Sequence, residues 1–317
     1  MEIVEELKFE KMGDFLSAIS YGGKLFKLFE DGTFVFRGQA SEKYELIPSA
    51  LRPKSKDLFD KVALQGSLYD EIEYNQLQNE YLVLRQFYKI CDKEGLAVPN
   101  VDRIRLTLND NMDLQTLSTT ENWLPYDLWE IAALAQHYGL PTRLLDWSHD
   151  LYIALYFAIE DHLNKIIFPD GTKYVVLWAL HLPVLSTLPN SVFPLRLIQP
   201  TYHGNPNLAA QKGLFTMWQI RKEVNKHPQG IMTIDVNKKV NRKPLDKLLQ
   251  EYVGNDVQAI GINMKKILLP IDGIKELYKF LAINGYTAAR VYPGYYGAAQ
   301  SIKHLQVIRE KYQQVLL

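Results

Sequence analysis

Cysteine is nearly absent from this 317-residue sequence, which contains Cys91 alone. One cysteine cannot form a disulfide within the chain, and this favours a reducing compartment. Residues 1–6 are acidic and precede no apolar run, so they do not resemble a signal peptide. The apolar run over residues 151–159 is too short to cross a bilayer, which takes about 20 residues. We therefore expect a cytoplasmic protein that does not enter the membrane.

The sequence also has no excess of charge of either sign. Lysine and arginine together number 36, as do aspartate and glutamate, so the formal net charge is zero. No general attraction to nucleic acid or to an anionic membrane follows, although a local basic groove is compatible with this balance. The hydrophobic fraction of 47% is that of an ordinary globular protein.

Several motifs that carry well-known chemistry are missing. There is no glycine-rich phosphate loop of Walker or Rossmann spacing, which argues against P-loop and doubly wound proteins. There is neither a His-Glu-x-x-His motif nor a paired cysteine spacing, so no metal site is expected. The Gly-x-Ser-x-Gly turn of serine hydrolases is absent as well.

Residues 136–148 form a polar stretch between two segments that are predicted to be buried helices. The first helix follows a helical period as far as Tyr138, and Gly139 and Pro141 end it. The second begins near Leu151 and is apolar on every side, which is typical of a core helix. The stretch is therefore predicted to be a short loop between packed helices. Its polar candidates are His137, Thr142, Arg143, Asp146 and Ser148.

These polar side chains need partners, because a buried polar group without one costs about 1–3 kcal/mol. In one interpretation the loop lines a pocket, and the first N–H groups of the apolar helix bind an anion beside Arg143. Asp146 or Ser148 is then expected at the N-cap of that helix. In the other interpretation Arg143 pairs with Asp146, and His137 bonds to the backbone. The residues by themselves leave both open.

Two further candidates lie earlier in the chain. A strand of β-branched and aromatic residues is predicted over residues 33–38 and carries Arg37 near its end, with Gly38 leaving backbone room beside it. An arginine there calls for an anion or a carboxylate, unless it is a rim residue in a salt bridge. Glu80 lies at the margin of an apolar stripe in a helix predicted over residues 57–93. It is half-buried with a raised pKa, solvated, or paired with a neighbour such as Arg85.

Helical patterns cluster in the first half of the chain and strand patterns in the second, which predicts an α+β fold. We expect the helical half to pack on a mixed, mainly C-terminal β-sheet that the strand carrying Arg37 also enters. No linker separates the halves, so residues 1–317 are predicted to form one domain with two lobes. The predicted core spans about 34–296, with a helical lobe over about 55–165 and a strand-rich lobe over about 170–292. Residues 287–291 are predicted as a last short strand, and residues 193–198 as irregular.

Three segments together resemble the FRG domain family, which is named for a Phe-Arg-Gly motif. The first is Phe36-Arg37-Gly38, followed by Gln39. The second, over residues 135–147, reads Ala-Gln-His-Tyr-Gly-Leu-Pro-Thr-Arg-Leu-Leu-Asp-Trp. The third, over residues 210–216, is similar to the family's Gln-x-Gly-x-Phe segment and begins with Ala210-Gln211.

The resemblance extends from about residue 34 to 296. Glu80 matches a helical glutamate that is typical of the family. The end of this range departs from the family, because the turn Tyr292-Pro293-Gly294-Tyr295 replaces a more acidic Pro-Asp-x-Asp turn.

The resemblance implies a bacterial protein, and some members of the family resemble toxins or phage-defence effectors. The layout is also similar to that of the ADP-ribosyltransferase superfamily, which implies NAD as the ligand and an NAD-dependent transfer or cleavage reaction. The expected acceptor is a protein or a nucleic acid. The residues that this resemblance implies for catalysis are Glu80, Asp146 and His137. Those implied for binding the nucleotide are Arg37, Gly38, Gln39, Thr142, Arg143, Ser148 and Gln211.

In this hypothesis Arg37 and Arg143 point into one shared cavity and hold the pyrophosphate, while Glu80 or Asp146 stabilises the positive charge formed at the ribose. Replacing Glu80 with glutamine is then expected to abolish NAD turnover. Two other classes stay open. The same residues could bind a nucleotide signal or nucleic acid without turnover, or they could belong to a nuclease that needs a carboxylate pair for Mg²⁺.

Overall fold

The structure is a computed structural model in which a mixed β-sheet carries helices on both faces. It describes residues 2–53, 71–99, 105, 122–164, 169, 171–183, 185, 193–203, 205–221, 225–226, 232–233, 238–254 and 261–313. The predicted α+β class is confirmed.

The elements are as follows in chain order. The strands are β1 (Val4–Lys8), β2 (Phe34–Gln39), β3 (Asn122–Trp123), β4 (Leu145–Ser148), β5 (Tyr174–His181), β6 (Leu195–Ile198), β7 (Gly213–Trp218), β8 (Ile220–Arg221), β9 (Asn225–Lys226), β10 (Met232–Thr233) and β11 (Met264–Pro270). The α-helices are α1 (Met12–Ile19), α2 (Lys24–Phe29), α3 (Glu73–Lys93), α4 (Trp129–His137), α5 (Leu151–Leu163), α6 (Pro206–Gln211), α7 (Leu245–Val253), α8 (Ile274–Ile283), α9 (Ala288–Val291) and α10 (Tyr295–Gln313). Short 3₁₀ turns are Ser49–Leu51, Tyr126–Leu128 and Ile271–Gly273.

The main sheet has seven strands in the order β1-β11-β5-β2-β4-β7-β6. The β1–β11 pair is parallel, and the other neighbouring pairs are antiparallel. Strand β2 lies between β5 and β4, so the strand carrying Arg37 does enter the sheet. The predicted separation of helices and strands into two halves of the chain is not followed. Strands β1, β2 and β4 come from the first half, and helices α6 to α10 come from the second.

Alternation along the strands divides the core between the two faces of the sheet. Phe36 and Leu177 face a cluster that includes residues of α1, α5 and α8. Val35 and Trp178 face a second cluster that includes residues of α7. Strand β5 is buried throughout residues 175–180, in agreement with the central, doubly covered position that its continuous apolar sequence predicts.

A third buried cluster joins α3 to α4. The apolar stripe of α3 packs there through Leu84 and Tyr88, against Trp123 and Leu128. Glu80 belongs to the same stretch of α3 and is buried beside these residues. Glu80, at the polar margin of the apolar stripe of α3, therefore lies in the protein interior.

Three local predictions were wrong. Residues 145–148 are strand β4 and not part of a loop, since Leu145 and Trp147 are buried while Asp146 between them is exposed, the alternation of a half-buried strand. Residues 193–198 include strand β6, where irregular structure was expected. Residues 288–291 form helix α9 instead of a last strand.

The predicted helix over residues 57–93 begins at Glu73 in the described part of the chain, and its earlier residues 57–70 lie outside it. Within the described ranges, no helix combines the length and apolar character needed to cross a membrane.

Candidate functional site

Strands β2 and β4 meet at one pair, Phe36 opposite Ser148. Next to that pair, the side chain of Arg37 links the two strands. Its Nη1 atom donates to the backbone oxygen of Asp146 at 2.8 Å and to Asp146 Oδ2 at 2.5 Å. The arginine thus makes the connection between the strands where their backbone pairing stops, and it brings a charged pair to the middle of the sheet.

The Asp146 carboxylate is held from its other side by Gln136, the residue before the end of α4. Gln136 Nε2 donates to Asp146 Oδ1 and to the carbonyl oxygen of Leu144, both at 3.2 Å. Gln136 Oε1 in turn accepts a hydrogen bond from Thr142 Oγ1 at 2.6 Å. Thr142 therefore fixes the orientation of Gln136 through its hydroxyl, and Gln136 fixes that of Asp146.

The charges around Asp146 determine its protonation. Desolvation alone would raise the pKa of Asp146, but the charge of Arg37 and hydrogen bonds, including those from Arg37 and Gln136, lower it below its ordinary value. The pKa of Arg52 is lowered by desolvation and by the charge of Arg37, and raised by the charge of Asp146. Two guanidinium groups and one carboxylate thus interact here, which leaves an excess of one positive charge.

A cavity of about 250 Å³ opens at this pair, and we call it the Arg37 cavity. Its lining residues come from β2, α4, β4, α5, α6, β7 and the residue after α9: Phe36, Arg37, Gly38, Gln136, His137, Asp146, Trp147, Ser148, Ala154, Phe157, Leu208, Gln211, Gly213, Leu214, Phe215 and Tyr292. All three segments that carry the family resemblance contribute to this lining. Of the predicted site residues, the cavity brings together Arg37, Gly38, His137, Asp146, Ser148 and Gln211.

The two partners of the charged pair differ in exposure. The Arg37 side chain is 11% exposed and that of Asp146 is 58% exposed. Arg37 Nε is buried and has no hydrogen-bond partner within the described part of the chain. A buried donor of this kind is rare and calls for a water molecule or a ligand.

His137 lies at the end of α4 on the cavity wall. Desolvation lowers the pKa of His137 below its ordinary value, so its imidazole is neutral at pH 7. A neutral imidazole can accept a hydrogen bond from a ligand. The bond to the backbone that the structural interpretation expected for this histidine stays a prediction.

Gly38 is needed for packing. A Cβ atom at this position would lie 2.0 Å from the backbone oxygen of Ala154 and 2.5 Å from the backbone nitrogen of Ala158. The space beside Gly38 is therefore occupied by α5, so the expected backbone room is not available to a ligand on that side. The third residue of the Phe-Arg-Gly motif sets the close approach of β2 to α5.

The beginning of α5 differs from the prediction. Its N-cap is Asp150, whose Oδ1 accepts hydrogen bonds from the backbone nitrogens of Tyr152 at 3.0 Å and Ile153 at 3.4 Å. Asp150 Oδ2 accepts from Lys212 Nζ and from Tyr286 Oη, both at 2.9 Å. The expectation of a helix start open to an anion, capped by Asp146 or Ser148, was wrong because a carboxylate already occupies it.

Ser148 and Gln211 form part of the cavity wall and also hold it together. Ser148 Oγ donates to the backbone oxygen of Gln211 at 2.6 Å and accepts from the backbone nitrogen of Asp150 at 2.9 Å. Gln211 Nε2 donates to the backbone oxygen of Val291 at 3.3 Å. These bonds tie β4, α6 and α9 together around the cavity.

Glu80 and Arg143 form a separate pair outside the Arg37 cavity. Arg143 Nε lies 2.8 Å from Glu80 Oε1 and 2.7 Å from Oε2. Trp123 Nε1 donates to Glu80 Oε2 at 2.7 Å, and Gln76 Nε2 donates to Oε1 at 2.9 Å. Both charged side chains are 5% exposed. Glu80 is therefore a buried ion-pair partner, held by three hydrogen-bonding side chains.

The expectation that Arg37 and Arg143 point into one shared cavity was wrong. Arg143 lines a different cavity of about 770 Å³ together with Leu145 and Trp218. Asp146 lines the Arg37 cavity instead. Side chains alternate between the two faces along β4, so Leu145 and Asp146 point to opposite sides. The alternative pairing of Arg143 with Asp146 does not occur, because Arg143 pairs with Glu80 and Asp146 with Arg37.

Gln39 and Thr142 also lie outside the lining of the Arg37 cavity. Gln39 is 6% exposed; its Oε1 accepts from Trp178 Nε1 at 2.7 Å, and its Nε2 donates to the Glu45 carbonyl oxygen at 3.2 Å. Thr142 is buried, and its hydroxyl also accepts from the backbone nitrogen of Leu144 at 3.1 Å. Their predicted contact with a nucleotide stays a prediction.

Sequence reasoning missed three residues of this region. Gln136 orients Asp146, Arg52 adds positive charge, and Tyr292 lines the cavity wall. Gln136 lies in the polar stretch and immediately precedes His137, so its amide could have been identified there. Tyr292 is singled out in the sequence only as the start of the turn that departs from the family, and this turn carries no signal that it lies beside the other segments.

In the described ranges, no group of three or more His, Cys, Asp or Glu side chains is arranged to hold a metal ion. Residues 32–166 match the family model of the FRG domain, and this part of the chain is an FRG domain. The match covers Arg37, Glu80, Arg143 and Asp146, and it ends before Gln211. No curated protein and no solved structure matches the chain.

Proposed function

We propose that this FRG-domain chain binds a nucleotide in the Arg37 cavity, with NAD as its substrate, and that it cleaves NAD or transfers its ADP-ribose group. One observation carries the proposal. Arg37 lines, beside the Asp146 carboxylate, a cavity built from three distant segments of the family pattern, and its buried Nε donor has no partner among the residues that the structure describes. A cavity with a few convergent polar groups is the usual form of a small-molecule site.

The local charge supports an anionic ligand. Arg52 does not line the cavity, but it interacts with the charges of Arg37 and Asp146, so these three groups together carry one positive charge, which favours phosphate groups. The planar guanidinium of an arginine can bind a phosphate through two parallel hydrogen bonds. With a volume of about 250 Å³, the Arg37 cavity is somewhat smaller than the usual range of about 300–1,000 Å³. It is suited to one end of a dinucleotide, with the remainder extending outside.

Asp146 supplies the negative charge that the reaction needs. Its lowered pKa keeps the carboxylate ionised at neutral pH. When nicotinamide leaves with the electron pair of its bond to the ribose, positive charge develops at the ribose carbon, and a fixed carboxylate stabilises that charge. The nucleophile that completes the reaction is water or a group of a protein or nucleic-acid acceptor. An activity of this kind suits the toxin or phage-defence role that the family resemblance implies.

Between the two carboxylates predicted for this role, the proposal assigns it to Asp146. Asp146 lines the Arg37 cavity, whereas Glu80 lies beside Arg143 and lines only a space of about 10 Å³ on another side. His137, neutral at pH 7, lines the same cavity, and in this proposal it hydrogen-bonds the ribose or the leaving group. Ser148 and Gln211 hold the opposite wall through their own hydrogen bonds.

The experiment that tests the proposal is incubation of the purified chain with NAD, with free nicotinamide measured by chromatography. The parent is expected to release nicotinamide. Asp146→Asn is expected to lower the rate by about 10²–10³-fold, the usual effect of removing one electrostatic stabiliser. Glu94→Gln, at an exposed position after α3, is the matched control and is expected to leave the rate unchanged. Absence of release from the parent contradicts the enzymatic part of the proposal.

A second candidate function is a nucleotide sensor that binds without turnover. The observation in its favour is that both oxygens of Asp146 already accept hydrogen bonds, Oδ1 from Gln136 and Oδ2 from Arg37. Its charge is thereby already balanced. Thermal stabilisation of the parent by NAD without nicotinamide release supports the sensor. If NAD causes no thermal stabilisation and no nicotinamide is released, the polar network only holds the fold together.

A further inference from the structure

A second carboxyl group, that of Glu160, is hydrogen-bonded to a residue of the Arg37 cavity wall. Glu160 is on α5, three residues after Phe157, so the two side chains lie on the same side of the helix. Phe157 lines the cavity, and so does Tyr292. Tyr292 Oη donates to Glu160 Oε2 at 2.9 Å, and its ring packs on that of Phe157 with 6.3 Å between the centroids. Tyr292 therefore connects Glu160 to the cavity.

The surroundings of Glu160 contain several other titratable groups. Asp161 follows it on α5, Tyr156 is one turn earlier, and Tyr296 at the start of α10 packs on Tyr292 at 5.7 Å between ring centroids. Tyr156 Oη in turn lies 3.2 Å from Nδ1 of the buried His304 on α10.

The balance of these groups makes Glu160 an unusually weak acid. Desolvation raises the pKa of Glu160 to about 7, against the opposing effect of the Tyr292 hydrogen bond, and the charge of Asp161 raises it further. Desolvation and the charge of Glu160 raise the pKa of Tyr292, which stays protonated at neutral pH. Glu160 can therefore gain and lose a proton near pH 7, whereas Tyr292 can only pass one on.

The two carboxyl groups near this cavity are thus suited to different tasks. Asp146 is held ionised by Arg37, and both of its oxygens are occupied by hydrogen bonds. Glu160 has a single neutral hydrogen-bond donor, Tyr292, among the bonds described for it. Pairs of carboxyl groups whose environments push their pKa values apart commonly divide the roles of charge stabiliser and general acid or base.

We propose that Tyr292 and Glu160 form the proton-accepting arm of the Arg37 cavity. The proposal rests on the NAD-cleaving function given above. As the bond between ribose and nicotinamide breaks, its electron pair leaves with nicotinamide, and the oxygen of water or of an acceptor hydroxyl forms the new bond to the ribose carbon. The proton of that oxygen passes to Tyr292 Oη, and the proton of Tyr292 passes to Glu160 Oε2. The carboxylate becomes a carboxylic acid, which water later deprotonates.

The test is the pH dependence of nicotinamide release. The parent is expected to show a rate that rises through a limb near pH 7. Glu160→Gln and Tyr292→Phe are each expected to lower kcat by about 10²–10⁴-fold, the usual contribution of general-base catalysis. KM for NAD should change much less than kcat, because Glu160 does not line the cavity and Tyr292→Phe keeps the ring that does. In Glu160→Gln the limb near pH 7 should also disappear.

Asp161→Asn serves as the matched control on the same helix. Removing this like charge is expected to move the limb to lower pH without loss of the maximal rate, since Asp161 does not line the cavity. A limb that does not move in this variant contradicts the assignment of the limb to Glu160. Circular dichroism and urea unfolding of each variant show whether the fold is kept.

The outcomes separate this inference from the proposed function. Release by the parent, with unchanged kcat and pH profile in Glu160→Gln and Tyr292→Phe, overturns the proton-accepting arm and leaves the NAD-cleaving function standing. No release by the parent overturns both. An independent measurement is the ¹³C carboxyl chemical shift of Glu160 in the free protein, assigned by its loss in Glu160→Gln. A midpoint near pH 7 supports the inference, and a midpoint in the ordinary range of glutamate, about 4.3, contradicts it.

Discussion

Two arginine–carboxylate pairs of this protein each have one member in the same short segment, Arg143 in one and Asp146 in the other, and they behave differently in its structure. In the pair of Arg143 with Glu80, both side chains are 5% exposed. In the pair of Arg37 with Asp146, the carboxylate is 58% exposed and faces a cavity. The partners in each pair come from distant parts of the chain, 63 residues apart in the first and 109 in the second.

The difference between the pairs teaches that burial, more than residue type, separates a structural ion pair from a candidate binding site. A buried pair is costly to break because the remaining charge is left without a partner. A pair at a cavity is partly screened by solvent, contributes little to stability, and can exchange partners with a ligand. The same two residue types therefore serve stability at one site and are available for chemistry at the other.

The largest effect on stability is expected when the buried pair of Arg143 with Glu80 is broken. Glu80→Gln leaves the Arg143 guanidinium buried without its counter-charge, and the free energy of unfolding is expected to fall by about 3–5 kcal/mol. Urea unfolding followed by circular dichroism measures it. Glu94→Gln, exposed and near the end of the same helix, should change stability by less than about 0.5 kcal/mol. If the free energy of unfolding of Glu80→Gln fell by less than about 1 kcal/mol, burial would not make this pair more important for stability than the pair of Arg37 with Asp146.

The second prediction concerns Gly38, the residue after Arg37. Its substitution is expected to disturb the strand that carries Arg37 and to leave the pair of Arg143 with Glu80 intact. Gly38→Ala places a methyl group 2.0 Å from the backbone oxygen of Ala154, so β2 and α5 must move apart. A loss of about 1–3 kcal/mol in the free energy of unfolding is expected, as for other overpacked sites. Gly95→Ala is a useful comparison, because the space beside Gly95 is open although its φ of +68° is strained.

Nucleotide binding gives a second check on Gly38→Ala. Because the substitution moves the strand that carries Arg37, NAD affinity should weaken together with stability, as measured by calorimetric titration. Unchanged stability and affinity would contradict the close approach of β2 to α5.

The smallest expected effect on stability comes from Asp146→Asn. Since the Asp146 carboxylate is largely exposed, its pair with Arg37 should contribute no more than about 1 kcal/mol. The folded-state pKa of Asp146 is lowered, so its contribution is present above the ordinary value of about 3.9 and is lost as the pH falls through the folded-state value. Asp146→Asn should remove this part of the acid-dependent loss. If Asp146→Asn lost as much stability at pH 7 as Glu80→Gln, the proposed difference between the two ion pairs would be refuted.

Much of the cavity wall could be predicted because its residues belong to segments with a recognisable pattern. Arg37 stood out as a charged residue ending an apolar strand, and Asp146 and His137 as polar residues between apolar helices. Strand β4 was not predicted, because a strand of four residues with an aspartate and a serine has too little apolar alternation to distinguish it from a loop. The cap at Asp150 was missed for a related reason, since Asp146 and Ser148 are equally good capping residues by type.

The sequence by itself determined that the chain carries an FRG domain and an α+β fold with a core helix that is apolar over residues 151–159, because local pattern and residue type carry that information. Tertiary structure alone decided which arginine meets which carboxylate. Arg143 lines the same cavity as Leu145, whereas Asp146, the next residue of β4, points to the other face, and each of the two charges meets a partner from a remote segment. These two pairings therefore depend on which remote segment packs against each face of the sheet, and no local pattern of residues contains that information.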